Sequence, residues 1–363
     1  MRERQIDYPI LITVFLLTVF GLMMLASASS DLGKIKFDNS YYYLQHQIYY
    51  GLSLGLAGFF TGLYLPARWY KKFSTFALLL SILSLIMVFT PLGSSAGTAA
   101  ERWISIGSIT FQPSEILKLT FVFYLAAWLS GAKSRRADNL TQGYLPFLVM
   151  CGIIALLLVL EKSTSSVLII MSGALAIYFA SGAKWRYILT TILLGIAALA
   201  LLVAVTGYRS DRIKTFFTGA SDSSGAGYQL NISQTTIGAG GIWGVGYGKS
   251  IAKRYLPERI GDSIFPIIAE EFGFVGSLSI VGMFFFLIFR SYQLSRRVGD
   301  RFGRLVLIGF VTIIGAQVFL QIGSNVGQIP ITGVPLPFIS YGGTALAVFL
   351  TMSGVMLNVS KDA

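Results

Sequence analysis

Long apolar runs, about 20 residues each and separated by short polar stretches, constrain this 363-residue chain more than any other feature in it. About 20 helical residues cross the ~30 Å hydrocarbon core of a bilayer. In lipid, every backbone N–H and C=O must be satisfied within the element, which a helix does and a lone strand does not. We therefore place spans near 8–28, 43–65, 73–91, 113–131, 143–161, 164–182, 187–206, 263–289, 304–322 and 339–358. Composition points the same way: 54% of residues are hydrophobic and 12% are charged, more apolar surface than a soluble domain can hide. The expected fold is an all-α integral membrane protein of about ten transmembrane helices. It is read as a single polytopic domain over residues 1–363, with one long loop at about 207–262 between the seventh and eighth spans.

The first run follows Arg2 and Arg4 and ends Ala26-Ser27-Ala28, which resembles a signal-peptide cleavage site. From Tyr8 onward it outlasts the ~7–15 apolar residues of a signal peptide, so a retained helix is expected. The net charge of +12 reads as positive-inside sorting rather than as a nucleic-acid surface. Arg68, Lys71 and Lys72, then Lys133, Arg135 and Arg136, then Lys184 and Arg186, then Arg290, Arg296, Arg297, Arg301 and Arg304 fall in loops of one side. The alternate short loops hold Lys34, Lys36, Arg102 and Lys162. This sorting predicts cytoplasmic termini and an extracytoplasmic long loop. Cys151, the single cysteine, lies in an apolar run and is read as packing; His46, the single histidine, is read as an interfacial hydrogen-bonding residue. That inventory excludes a Cys/His metal site.

Ionisable residues in such a chain need a reason, because each costs about 2.5–3.5 kcal/mol at a helix centre on insertion scales. Glu115 and Lys118 follow Pro113 and Ser114 at the start of the fourth span. Three residues apart, they share a helix face, either as a mutually neutralising pair or, with Arg102, as the lining of a cavity for an anion. Glu161-Lys162-Ser163-Thr164-Ser165-Ser166 reads as a hydrophilic hairpin tip. The glycine run from Gly238 to Gly248 resembles a phosphate loop, but Trp243 stands where its first glycine is required. Lys249, Lys253, Arg254 and Arg259 make the following segment basic. Asp262 sits at the mouth of the eighth span, where it or Ser263 would cap the helix. Glu270 and Glu271 lie about two turns deeper and should face protein or water. Two prolines and paired glycines break regular helix across residues 331–344.

Taken in order, these segments resemble the SEDS family, the FtsW/RodA/SpoVE group. The resemblance rests on Arg102-Trp103-Ile104, Gln112-Pro113-Ser114-Glu115 with Lys118, Gly227-Tyr228-Gln229, the glycine run, Leu256-Pro257-Glu258, Asp262 with Glu270-Glu271 and Gly273, and Pro335-Leu336-Pro337-Phe338 with Ser340-Tyr341-Gly342-Gly343. It implies the SEDS fold and a peptidoglycan glycosyltransferase in the bacterial cytoplasmic membrane. Such an enzyme polymerises lipid II, a disaccharide-pentapeptide on undecaprenyl pyrophosphate, at the outer face. It also implies partners: a class B penicillin-binding protein transpeptidase and other divisome or elongasome membrane proteins. Gly21-Leu22-Met23-Met24 and the ending Leu357-Asn358-Val359-Ser360-Lys361 are closer to FtsW than to RodA. Two positions depart from the family pattern: Ser163 stands where an aspartate is common, and Ile260-Gly261-Asp262 replaces His-Thr-Asp.

The resemblance implies attack by a sugar hydroxyl on the anomeric carbon of a second lipid-linked chain, with inversion. Asp262 is the expected base. Arg102, Lys118 and Arg212 are candidates for the pyrophosphate, and Glu115, Gln229, Lys253 and Ser340 complete the candidate substrate-binding set. No cofactor is expected for certain; a divalent cation would suit the chemistry, though the sequence shows no dedicated site. A lipid II flippase and a RodA-type elongation polymerase stand as alternatives.

Overall fold

The computed structural model describes residues 5–94, 102–107, 109–131, 136–207, 210, 216 and 225–363. Its helices are α1 (Tyr8–Phe37), α2 (Tyr42–His46), α3 (Ser53–Tyr64), α4 (Ala67–Met87), α5 (Pro113–Leu129), α6 (Leu145–Leu160), α7 (Thr164–Ala180), α8 (Trp185–Val205), α9 (Gly225–Ala239), α10 (Ile264–Ser295), α11 (Arg301–Asn325) and α12 (Gly343–Ser360). A π-helical segment, Gln47–Leu52, joins α2 to α3, so the two form one span; another, Leu140–Tyr144, opens α6. With these joins, the ten expected spans form.

Helix starts follow local chemistry. Asp7 caps α1 by accepting from Ile10 N at 3.2 Å, with Pro9 in the first turn. Asp300 caps α11 by accepting from Gly303 N at 2.9 Å. Each cap satisfies an N–H that the helix itself cannot. In the bundle, α12 packs along α3, α5 along α4 and α7, α11 along α7 and α10, and α1 along α10. Phe121, Phe310, Phe349 and Met356 are buried where these helices meet. In contrast, α8 exposes Leu193, Leu194, Ile196 and Leu201, as a helix bathed in lipid would.

Three features depart from expectation. A small antiparallel sheet, β1 (Gly93–Ser94), β2 (Trp103–Ile106) and β3 (Ile109–Phe111), forms between α4 and α5, with Ile104 opposite Phe111. Helix α9 lies inside the stretch expected to be loop. It escaped notice because its buried face carries Ser233 and Thr236, so no apolar period marks it.

The third departure is a break in α10 at Gly273, whose φ of +68° and ψ of −165° only glycine readily adopts. The glycine run seals the break. Val245 N and Gly246 N donate to Glu270 O and Glu271 O at 2.9 and 3.0 Å. On the far side of the break, Phe274 N and Val275 N donate to Gly241 O and Ile242 O at 2.9 and 3.2 Å. A side chain on Gly273 would collide with Gly244 N and Ile242 O.

Candidate active site

The site begins with a turn, residues 257–263, that delivers the chain into α10. Three consecutive carbonyls of this turn are held from outside it. Tyr341 N donates to Ile260 O at 2.8 Å. Ser340 Oγ donates to Gly261 O at 2.6 Å. Gln321 Nε2 and Asn325 Nδ2 both donate to Asp262 O, at 2.9 and 2.8 Å. The expected cap on α10 does not form: Ser263 occupies the N-cap position without a side-chain cap bond. Its hydroxyl accepts from Gln229 Nε2 at 2.9 Å instead, which ties α9 to the turn. Asp262 itself is half-buried, and its carboxylate neighbours Gly333 of the segment before α12.

That segment, residues 326–342, is irregular, as its prolines and glycines require. Buried Phe338 adopts a left-handed φ of +65°, a conformation that costs a bulky residue about 1–3 kcal/mol. Ser340 Oγ, besides reaching Gly261 O, accepts from Leu336 N at 2.8 Å and so closes the Leu336–Ser340 turn on itself. Tyr341 OH shares a 2.9 Å hydrogen bond with His46 Nδ1, which gives the single histidine the structural role expected of it.

Glu115 and Lys118 do share a helix face, and they pair at 2.6 Å. Lys118 is 1% exposed, so the pair is enclosed rather than lining an open cavity. Its ammonium also donates to Gln317 Oε1 at 2.7 Å and sits over the Phe349 ring. Gln317 Nε2 then donates to Pro335 O at 2.8 Å, linking the ion pair to the segment that holds Asp262.

Arg102 reaches the turn between α6 and α7, where its guanidinium donates to Glu161 O at 3.2 Å and Lys162 O at 2.7 Å. The hairpin-tip reading of this turn fails. Glu161 is 2% exposed, Ser163 and Ser166 are buried and share a 2.7 Å hydrogen bond, and Ser165 Oγ donates to Thr332 O at 2.6 Å. Among the described residues, neither carboxyl oxygen of Glu161 has a hydrogen-bond partner. Burial pushes its pKa up to about 8, against the pull of the Arg102 charge.

The deeper acids anchor the loop. Glu270 accepts from Ser250 Oγ and from Ile251 N at 3.2 Å. Glu271 accepts from Ser27 Oγ at 2.5 Å. Lys253 is buried, with its ammonium on Ser27 O at 3.3 Å and Gly248 O at 3.1 Å. Arg212 lies outside the described residues. Among the described residues, no group of three or more His, Cys, Asp or Glu comes together.

The structure thus gathers Asp262, Ser340 and Gln229 at one turn, connects Glu115 and Lys118 to it through Gln317, and sets Arg102 beside a separate buried carboxyl. Gln317, Gln321 and Asn325 were missed in the sequence. The available signal was three amides at four-residue spacing, one face of a span.

Comparison with known proteins accords with this architecture. The chain is 36% identical to the probable peptidoglycan glycosyltransferase FtsW of Nitrosomonas europaea, covering 99% of this chain and 94% of that one. It is 31% identical to the stage V sporulation protein E of Bacillus subtilis, covering 97% and 96%. In three dimensions it superposes with a TM-score of 0.80 on a chain of a peptidoglycan synthase complex that coordinates polymerization and crosslinking, at 27% identity and 98% coverage of both. The rod shape determining protein RodA of Thermus thermophilus gives 0.72, at 27% identity and 98% and 97% coverage. The cell cycle protein family FTSW_RODA_SPOVE matches residues 8–363, and the chain belongs to that family.

Proposed function

We propose that this chain is a peptidoglycan glycosyltransferase that polymerises lipid II, with Asp262 as the general base. The supporting observation is the turn at Asp262: an acid at the mouth of α10, with the carbonyls of three successive residues held by α11 and by residues 340–341. With its main chain held in this way, the carboxylate is carried on a fixed backbone at the place where the proton is to be taken.

In the reaction, a sugar hydroxyl oxygen of one lipid-linked chain attacks the anomeric carbon of another. The new glycosidic C–O bond forms as the bond to pyrophosphate breaks. The hydroxyl proton passes to Asp262, and undecaprenyl pyrophosphate leaves with the bonding pair. An α-linked donor gives a β-linked product. Of the three described basic candidates, Lys118 and Lys253 are enclosed and Arg102 is half-exposed, which favours Arg102 as the proposed partner of the pyrophosphate. In this reading Glu115 and Lys118 support the segment beside Asp262 from within the protein.

The same reading places the chain in the bacterial cytoplasmic membrane with both termini in the cytoplasm and the α8–α10 loop outside. A class B penicillin-binding protein is its proposed partner. FtsW-named relatives favour a role in division. The decisive experiment is lipid II polymerisation by purified Asp262→Asn, with and without that partner. Asn keeps the size and backbone of Asp but takes no proton, so the rate should fall by about 10²–10⁴-fold. A rate near that of the parent protein removes Asp262 as the base.

A further inference from the structure

Asp262 stands just before a proline-containing first turn. If α10 were extended backwards, the N–H of residue 266 would reach Asp262 O, but residue 266 is Pro266 and has no N–H. The carbonyl is therefore left over by its own helix. A carbonyl left unsatisfied in a buried setting costs about 1–3 kcal/mol, and this one is satisfied by α11. Gln321 Nε2 and Asn325 Nδ2 both bond to it, filling the two acceptor positions of one oxygen. Gln317 and Gln321 are fully buried and Asn325 is 5% exposed, so water does not compete for the donors; on Gln321 the Nε2 donor is engaged, while Oε1 has no hydrogen-bond partner among the described residues. Asn325 is itself fixed by a second bond, Nδ2 to Gln321 O at 2.8 Å.

We propose that Gln321 and Asn325 are positioning residues for the transfer reaction: they hold the Asp262 main chain to α11, and so set where its carboxylate stands relative to the attacking hydroxyl. The proposal rests on the reading of Asp262 as base. With the helix denied a hold on this carbonyl, the α11 amides and the Ser340 and Tyr341 contacts decide the depth of the turn. The third amide of the same face, Gln317, extends the row to the Glu115–Lys118 pair and to Pro335. The amide row is thus a rigid rail along one helix, with the base at one end and the buried ion pair at the other.

The test uses full-length protein and purified lipid II, measuring kcat and KM for Gln321→Met and Asn325→Leu separately, since each leaves the other amide on the carbonyl. Displacing a reacting group by about 1 Å typically costs about 10²-fold in rate; each variant should lose about 10- to 100-fold in kcat with KM within about 3-fold. Asn325→Gln, which keeps a donor, should recover part of the loss. Asn358→Leu is the control: Asn358 Nδ2 likewise bonds two carbonyls, Gly62 O and Leu65 O at 2.9 and 2.6 Å, far from the turn. It should melt at a lower temperature and keep its kcat. The proposal is overturned if both α11 variants keep kcat within about 2-fold, or if Asn358→Leu loses kcat as they do. Asp262→Asn runs in parallel: if it is active, the reading of the base fails, whereas if it is inactive while the α11 variants are active, only the positioning proposal fails.

Discussion

Glu161 gives a prediction whose magnitude follows from burial. Its carboxyl lies in the turn after α6, 2% exposed, with no hydrogen bond to either oxygen among the described residues. Its pKa rises from 4.5 to about 8, with burial the dominant cause and Arg102 opposing. In the unfolded chain the group loses its proton near 4.5; in the folded chain it keeps it until about 8. Across that window the folded state binds more protons, so stability falls as pH rises and levels off above about 8. At about 1.36 kcal/mol per pH unit, the full window amounts to at most roughly 5 kcal/mol, with roughly 3 kcal/mol already lost at pH 7. Glu161→Gln keeps the shape and removes the titration. The variant should match the parent near pH 4.5 and exceed it increasingly towards pH 8, with the gap constant beyond. Thermal unfolding in detergent at a series of pH values measures this. Parallel curves for the two proteins would show that Glu161 ionises in the folded state as it does in water, and the argument from burial would be wrong.

Other outcomes follow from the same contacts. Lys118→Met strands the Glu115 carboxylate and should cost about 3–5 kcal/mol, whereas Glu115→Gln combined with Lys118→Met should cost much less; denaturation of the single and double variants decides this. Gly273→Ala forces a side chain into the strained break, against Gly244 N and Ile242 O, and should destabilise by more than about 1–3 kcal/mol. With Cys151→Ala as background, Tyr255→Cys, at a 62%-exposed position, should react with an impermeant thiol reagent added to intact cells; protection would reverse the proposed orientation.

How much of this was legible in the sequence varies by element. The spans were, because 20-residue apolar runs admit few alternatives in lipid. So was the Glu115–Lys118 pair, because a three-residue spacing on a helix fixes a shared face. Helix α9 was not, since its buried residues Ser233 and Thr236 carry no hydrophobic period. The Glu161 turn looked like an exposed tip because its neighbours in sequence are polar; its burial comes from the distant Arg102 and the Thr332 segment. Gln317, Gln321 and Asn325 were invisible for another reason. A neutral amide in a span announces only that it needs a partner, and here the partners, Lys118, Pro335 and Asp262, come from three other segments.

The sealed break in α10 bears on how parts of this protein can be exchanged. Four backbone hydrogen bonds cross between residues 241–246 and 270–275, and each group left without its partner in lipid would cost several kcal/mol. The segment before α10 is therefore not an appendage that can be swapped like a surface loop. A chimaera joined between the two stretches would mate one relative's glycine run with another's helix break, and the four bonds would have to re-form in register. Joints placed before residue 238 and after residue 276 move the run and the break together. The two stretches form a single unit of exchange even though the 23 residues 247–269, Asp262 among them, lie between them.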